Sequence, residues 1–527
     1  MIHLPKEETK LMVAVHGWSG IVLGLLLYAV VLTGMAAVFA EEIGAWSAGH
    51  VETRSVFQKR IDAQVRALIP RTPAEFRDDV NAFEIGDHNL GVFFHRHELK
   101  PNGEPVDRGV YYQLDAAGNV QKELRGTGEE VFGPRNDDAL SSFLVDTHVR
   151  LHLPNPWGLL LTGVLGLAML VAAISGLLIH RHLFKDIFTL RRKANPVLVD
   201  RDRHSVAGTW SLPFAFILAF TGSFFSFFGT VGVPIVAMAA FGGDQVALSE
   251  AVFGSAAKPD PTPKIIGNLD RITADAAQRA GGAPTFMTIE HFGRADAVVT
   301  TFHMPKAGDI EPSTLVYKGA TGEFDRAKPS IGTRPSAGGT LAAIMGPLHF
   351  GNFAGVLSKA VWFGLGFAMC YVTLTGLRLW LVRRREGARS LDWLERATTV
   401  VGFGLPFALL VCAVAFLVTM PLGSAVFWTP TSFVAACLVT IAAAFVLSNA
   451  RLDRALQIGM AVLLVALPFV RFATGGPGWG PALATGELAI PAVDLALWFG
   501  GGWALWNLLG QRREDRRADD FVLQPAE

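Results

Sequence analysis

The chain is poor in cysteine, in charge and in net charge. Its 527 residues include three cysteines, Cys370, Cys412 and Cys437, each inside an apolar run. They form no CxxC or CxxCH motif, so a disulfide framework, a cysteine-held cluster and covalent c-type haem attachment are excluded. Charged residues make up 17%, and 46 basic residues balance 46 acidic ones; no basic surface calls for nucleic acid. A GxGxxG after a strand, a P-loop, an HExxH and a flavin-binding segment are also missing. If electrons pass through this chain, their donor binds elsewhere or is a membrane quinol.

What the chain has is apolar length. Hydrophobic residues are 51% of it and its mean hydropathy is +0.36. Eight runs reach the roughly 20 residues needed to cross a bilayer: 11–40, 155–180, 205–240, 354–382, 397–420, 426–448, 455–473 and 489–510. The first is too long for a signal-peptide core and carries a histidine, so it reads as a retained span. Basic clusters follow spans two, four, six and eight, for example Arg181 to Arg203, Arg383 to Arg396, and Arg512 to Arg517. The positive-inside rule then puts both termini in the cytoplasm of a bacterial inner-membrane protein.

The resulting fold class is an α-helical polytopic membrane protein of about eight transmembrane helices with two small α+β domains outside. Its parts are TM1 (1–40), a first outer domain (41–147), TM2 (148–182), a cytoplasmic loop (183–203) and TM3 (204–241). A second outer domain (242–348), TM4 (349–385) and a four-helix membrane region with a cytoplasmic tail (386–527) complete it. Each outer segment opens with a helical stretch, Val56–Leu68 or Leu269–Ala280. Each includes a hairpin, after Val110–Leu114 or after Thr314–Tyr317.

The first four spans duplicate one unit. His16 precedes Thr33-Gly34 at the spacing by which His204 precedes Thr221-Gly222. Leu151-His152 leads to Ser175-Gly176 much as Leu348-His349 leads to Thr375-Gly376. An ionisable ring in hydrocarbon is costly and so carries a functional hypothesis, and imidazole is the commonest protein ligand of haem iron. A single histidine at a helix mouth also reads as an interfacial polar residue, but four at matched repeat positions point to ligation. His16 and His204 would serve one face of the bilayer, and His152 and His349 the other. His148, four residues before His152, shares its helical face and is a reserve, and His180 competes with His204 as partner of His16. The small residues Gly34, Gly176, Gly222 and Gly376 suit either a flat macrocycle or helix packing. His95 and His97, on one strand face with His88 nearby, read as a solvated strand or as contacts to a metal complex. Asp494 in span eight reads as a proton-carrying group or as the partner of a polar neighbour.

His16-Gly-Trp-x-Gly20 running to Thr33-Gly34, Leu151-His152 with Trp157-Gly158, and Ser175-Gly176 through His180 to Phe184 resemble the PepSY-associated transmembrane family. So do Arg203-His204 leading to Thr221-Gly222, and His349 through Thr375-Gly376 to Trp380 and Arg383-Arg384. The resemblance covers about residues 8–386. It implies a four-helix core with two PepSY-like periplasmic domains. For the ferric-siderophore reductase members it implies two haem b groups relaying electrons from a membrane quinol or cytoplasmic reductant to a periplasmic ferric-siderophore. On that basis His16, His152, His204 and His349 are the axial ligands, with His148 and His180 in reserve. The rival expectations are a non-enzymatic, membrane-anchored PepSY protein that binds a peptide or partner, and a haem or siderophore transporter. Spans five to eight lie outside the resemblance.

Overall fold

A computed structural model describes residues 5–522 apart from 53, 59, 87, 100–104, 181–187, 192–194, 254–258, 306–308, 330 and 387–390. Two compact units emerge. A helical unit gathers residues 1–51, 136–227 and 360–527; a second unit gathers 52–135 and 228–359.

The helical unit is built from α1 (Lys6–Val22), α2 (Gly24–Ala37), α3 (Ala40–Ala48), α4 (Ala139–Arg150), α5 (Trp157–Ile179) and α6 (Pro196–Phe227). It continues with α7 (Gly355–Glu386), α8 (Leu405–Thr419), α9 (Ala425–Val446), α10 (Asn449–Ala473) and α11 (Ala489–Val522). Its long helices are apolar all round, because their surroundings are lipid and every backbone polar group must be satisfied within the helix. Among the described residues, six helices are long and apolar enough to cross a membrane, or up to seven if α1 and α2, bent by 66° at Leu23, form one span. The chain is therefore a multi-pass membrane protein. The eighth expected span falls in α11, which forms as a helix but is not among these; Asp494 and three successive glycines, Gly500 to Gly502, dilute its apolar character.

The two outer segments make a single sheet where the sequence suggests two domains. Strands β1 (Asp79–Ile85), β2 (Asn89–Leu99), β3 (Pro105–Leu114) and β4 (Val120–Thr127) come from the first segment. Strands β5 (Phe286–Glu290), β6 (Val298–His303), β7 (Ser313–Lys318) and β8 (Glu323–Lys328) come from the second. The order is β4-β3-β2-β1-β5-β6-β7-β8, antiparallel throughout. The seam is β1 against β5, with Val80 opposite Ile289 and Phe83 opposite Phe286. Each half adds one helix to the same face, Ile61–Leu68 or Leu269–Ala280. Asp62 Oδ1 accepts from the Leu269 amide at 2.9 Å, and Asp270 Oδ1 accepts from the Asp62 amide at 3.2 Å. Each helix start is thus satisfied by the other. Ile61, Val65, Val80, Val92, Leu269, Ile272, Ile289 and Val299 share one buried core, so the main core belongs to both halves together. This fusion explains the shifted boundaries: the residues that flank the expected domains, 41–51 and 136–147, belong to the helical unit.

The appended helices are tied to the first spans by polar anchors. Tyr28 Oη on α2 donates to the Gly402 carbonyl at 2.7 Å. The Asn136 side chain donates to the Met420 carbonyl at 2.7 Å and accepts from the Ala425 amide at 2.8 Å, clasping the turn between α8 and α9. Trp46 on α3 reaches Asp494 on α11, Nε1 to Oδ1, at 2.7 Å. Asp494 Oδ2 also accepts from Arg471 at 3.0 Å and from Trp479 at 2.8 Å. Asp494 therefore has its polar neighbours, and the proton-carrying reading loses its free carboxylate.

Candidate functional site

Three histidines of the helical unit occupy the same kind of seat. On α1, His16 Nδ1 lies 3.0 Å from the Ala172 carbonyl and 3.3 Å from Ser175 Oγ of α5. On α6, His204 Nδ1 lies 3.0 Å from the Val372 carbonyl and 3.2 Å from Thr375 Oγ1 of α7. On α4, His148 Nδ1 lies 2.9 Å from the Val30 carbonyl of α2. In each case the carbonyl belongs to the residue four before a glycine, and that glycine follows a serine or threonine: Ser175-Gly176, Thr375-Gly376 and Thr33-Gly34.

The physical reason lies in helix geometry. Residues four apart stack on one helix face, so a missing side chain at the glycine leaves room beside the carbonyl one turn back. A Cβ on Gly176 would stand 3.3 Å from His16 Cε1, one on Gly376 3.1 Å from His204 Cε1, and one on Gly34 2.8 Å from His148 Cε1. The hydroxyl preceding each glycine bonds back to its own helix, as Ser175 does to Val171 at 2.7 Å and Thr375 to Tyr371 at 2.7 Å. Three of the four small-residue pairs are histidine seats.

A carbonyl only accepts, so Nδ1 carries the proton at each seat. At His16 and His204 that tautomer leaves the Nε2 lone pair available, the arrangement by which a second partner orients a metal-ligating imidazole. Neither His16 nor His204 makes a hydrogen bond through Nε2 among the described residues. Their rings face each other with centroids 6.3 Å apart and planes at 78°. An iron bound on both sides at about 2 Å from nitrogen needs centroids roughly 6 Å apart.

Around the pair lies a cavity of about 340 Å³. Gly17, Gly20, Gly24 and Gly208 line it with Gly176 and Gly376, leaving flat walls. Arg201 and Arg383 stand at its edge, where guanidinium groups would meet carboxylates. His180 also lines it, with Nδ1 buried and without a hydrogen-bond partner among the described residues. The structure thus gives His204 to His16 as facing partner and leaves His180 on the wall. The two arginines were not singled out from the sequence; their place in basic links had already accounted for them.

On the other side the sequence favours His152 with His148 in reserve, and the structure places the two differently. His152 Nε2 lies 2.7 Å from Thr147 Oγ1, Nδ1 lies 2.8 Å from Asp146 Oδ2, and the ring stacks on Phe143 at 4.5 Å. Both its nitrogens are taken in a turn just past α4. His148 takes the seat at Gly34 instead, because the helix ends at Arg150 and Leu151 turns left-handed with φ 52°, swinging His152 off the shared face. His349 is half-buried near the end of helix Ala337–Phe350 in the second unit, its ring 5.6 Å from Phe350. His182 lies outside the described residues.

Residues 13–383 match the model of the PepSY-associated TM region. The chain belongs to that family. The match ends where the basic run after the fourth span begins, so the appended helices are outside it. The chain is also 27% identical, over 265 residues, to the "Uncharacterized protein PA4219" of Pseudomonas aeruginosa. That similarity covers 46% of this chain and 63% of the relative's length.

Proposed function

We propose that the chain is a haem-containing oxidoreductase of the bacterial inner membrane. It would carry electrons from a membrane quinol or cytoplasmic reductant to a ferric-siderophore on the periplasmic side, with both termini in the cytoplasm. The observation that carries this reading is the facing of His16 and His204 across a glycine-lined cavity, each with Nδ1 tied to a carbonyl and Nε2 open. When bound, haem supplies the one-electron couple that no side chain here can offer.

The chain's own residues do the rest. Ala172 and Val372 fix the tautomer and aim the imidazoles. Gly176 and Gly376 let the rings lie close to the helices. Arg201 and Arg383 would bind the carboxylates of a porphyrin, and Trp380 covers one side. On the opposite face His148 is the structural candidate, and the duplicated sequence nominates His349 beside it. One electron accepted by a ferric chelate gives the ferrous form, which hard oxygen ligands hold less tightly, so iron is released.

The full chain purified in detergent tests this directly. The expected result is a bis-histidine haem spectrum that is lost on the inner side in His16→Ala and in His204→Ala. After reduction, adding ferric-siderophore should restore the oxidised spectrum. A folded, colourless preparation would favour a membrane-anchored binding protein and defeat the proposal. Movement of labelled siderophore across vesicles without reductant would make it a transporter.

A further inference from the structure

The sheet unit holds a second cluster that the proposed function does not use. Asp79 of β1 pairs with His95 of β2, and His97 of β2 pairs with Asp107 of β3. Directly paired residues share a face, as do residues two apart on one strand. All four side chains therefore converge on one patch of one face. Ligand atoms of Asp79, His95 and His97 lie within 4.8 Å of one another. Gly109, opposite His95, adds nothing to that face; a Cβ there would strike the Phe94 carbonyl at 1.9 Å.

We propose that Asp79, His95 and His97 form a binding site for a divalent first-row transition ion. His95 decides the matter. It is 3% exposed, yet among the described residues neither ring nitrogen has a hydrogen-bond partner, although a buried polar group without one costs about 1–3 kcal/mol. His303 shows how a merely structural histidine is treated in the other half of the sheet. It is equally buried at 3%, but its Nδ1 meets the Gly282 carbonyl at 2.9 Å and its Nε2 meets Thr301 Oγ1 at 3.0 Å. The His95 ring is held in place by stacking on Phe93 at 4.9 Å, and it points at the other two ligands, its centroid 5.5 Å from that of His97.

The surrounding bonds suit metal binding. Asp107 Oδ1 lies 2.6 Å from His97 Nδ1, leaving Nε2 to face Asp79 Oδ2 at 3.4 Å. This is the carboxylate–imidazole support that orients ligands at metal sites. Asp79 Oδ1 is fixed by the His291 amide at 3.1 Å, leaving Oδ2 for the ion. Two imidazoles and one carboxylate select zinc or iron over calcium or magnesium, and leave coordination positions open. A tetrahedral ion would draw the ligand atoms to about 3.4 Å apart. His97, whose side chain is 70% exposed, is free to make that movement.

Zinc is the probe. The full chain, in detergent, is dialysed against zinc ions buffered by a chelator, and bound zinc and haem are each counted per chain. The expected result is about one zinc that His97→Ala and Asp79→Asn each weaken at least about tenfold, and Asp107→Asn by a similar or smaller factor. His16→Ala should leave that zinc in place, which separates it from the bundle histidines. Because His97 is exposed, its variant folds even where His95→Ala fails. X-ray absorption of the bound zinc should show two imidazoles, falling to one in His97→Ala. Equal zinc binding by wild type, His97→Ala and Asp79→Asn would overturn the proposal.

Discussion

In the first four spans, His16 and His204 each have one nitrogen anchored and one left open toward a cavity. In the appended helices, Asp494 is more deeply enclosed than either half-buried histidine, at 2% exposure, and Arg471, Trp46 and Trp479 occupy both of its oxygens. The first arrangement is unfinished and the second is closed. A buried polar group that is fully bonded holds helices together; one held half-bonded in a defined direction is prepared to receive something. The difference lies in the bonding: the carboxylate is an anchor with every oxygen used, and the imidazoles are not.

The comparison can be broken at the closed end first. Asp494→Ala strands the Arg471 guanidinium in a buried site, and unfolding in detergent should register a loss of about 3–5 kcal/mol. Protein that remains folded should keep the wild-type haem spectrum; a lost spectrum in folded protein would mean that Asp494 belongs to the ligand site after all. Gly376→Val tests the open end by filling the space beside His204. Overpacking there should cost about 1–3 kcal/mol and displace the ring, lowering haem content, whereas Gly364→Val, at a glycine whose Cβ meets nothing within 4 Å, should leave it unchanged.

His152→Ala sharpens the choice on the other face. It removes bonds to Thr147 and Asp146, worth about 1 kcal/mol, and should leave the absorbance intact, while His148→Ala should reduce it. The smallest effect lies in the sheet. The hydrogen bond from Arg294 depresses the Asp296 carboxyl to about 2. A lowered folded-state pKa stabilises above the unfolded carboxylate range and ceases to do so as pH falls through the folded value. The stability gap between wild type and Arg294→Ala should therefore be full above about pH 4 and close as pH approaches 2, read from acid unfolding followed by circular dichroism.

Much of this was legible in the sequence, for identifiable reasons. Hydrophobic length marks spans because lipid imposes it, and seven of the expected runs coincide with apolar helices, counting the bent first pair. The repeat singled out His16 and His204, and the two rings lie near each other because each is fixed by position on a continuous helix. His148 and His152 are told apart only at the helix end, where two successive left-handed residues, Leu151 and His152, decide which side chain keeps the face of α4. The single sheet was hidden because its seam joins strands about two hundred residues apart, and hydrophobic alternation reports a face but not a neighbour. The partners of Asp494 lie on three separate elements, and no local pattern brings Trp46 to it. His95 and His97 showed their shared face as an i, i+2 pair; that His95 lacks a hydrogen-bond partner among the described residues is visible only in three dimensions.

The joint between Val80 and Ile289 has a consequence for synthesis. When β1 to β4 leave the ribosome, the edge that β5 will cover is bare, and it stays so while two further spans are made and inserted. An uncovered strand edge invites wrong pairing. The wait is part of how this chain is made, and a premature stop between the two segments would leave an adhesive half-sheet with nothing to close against.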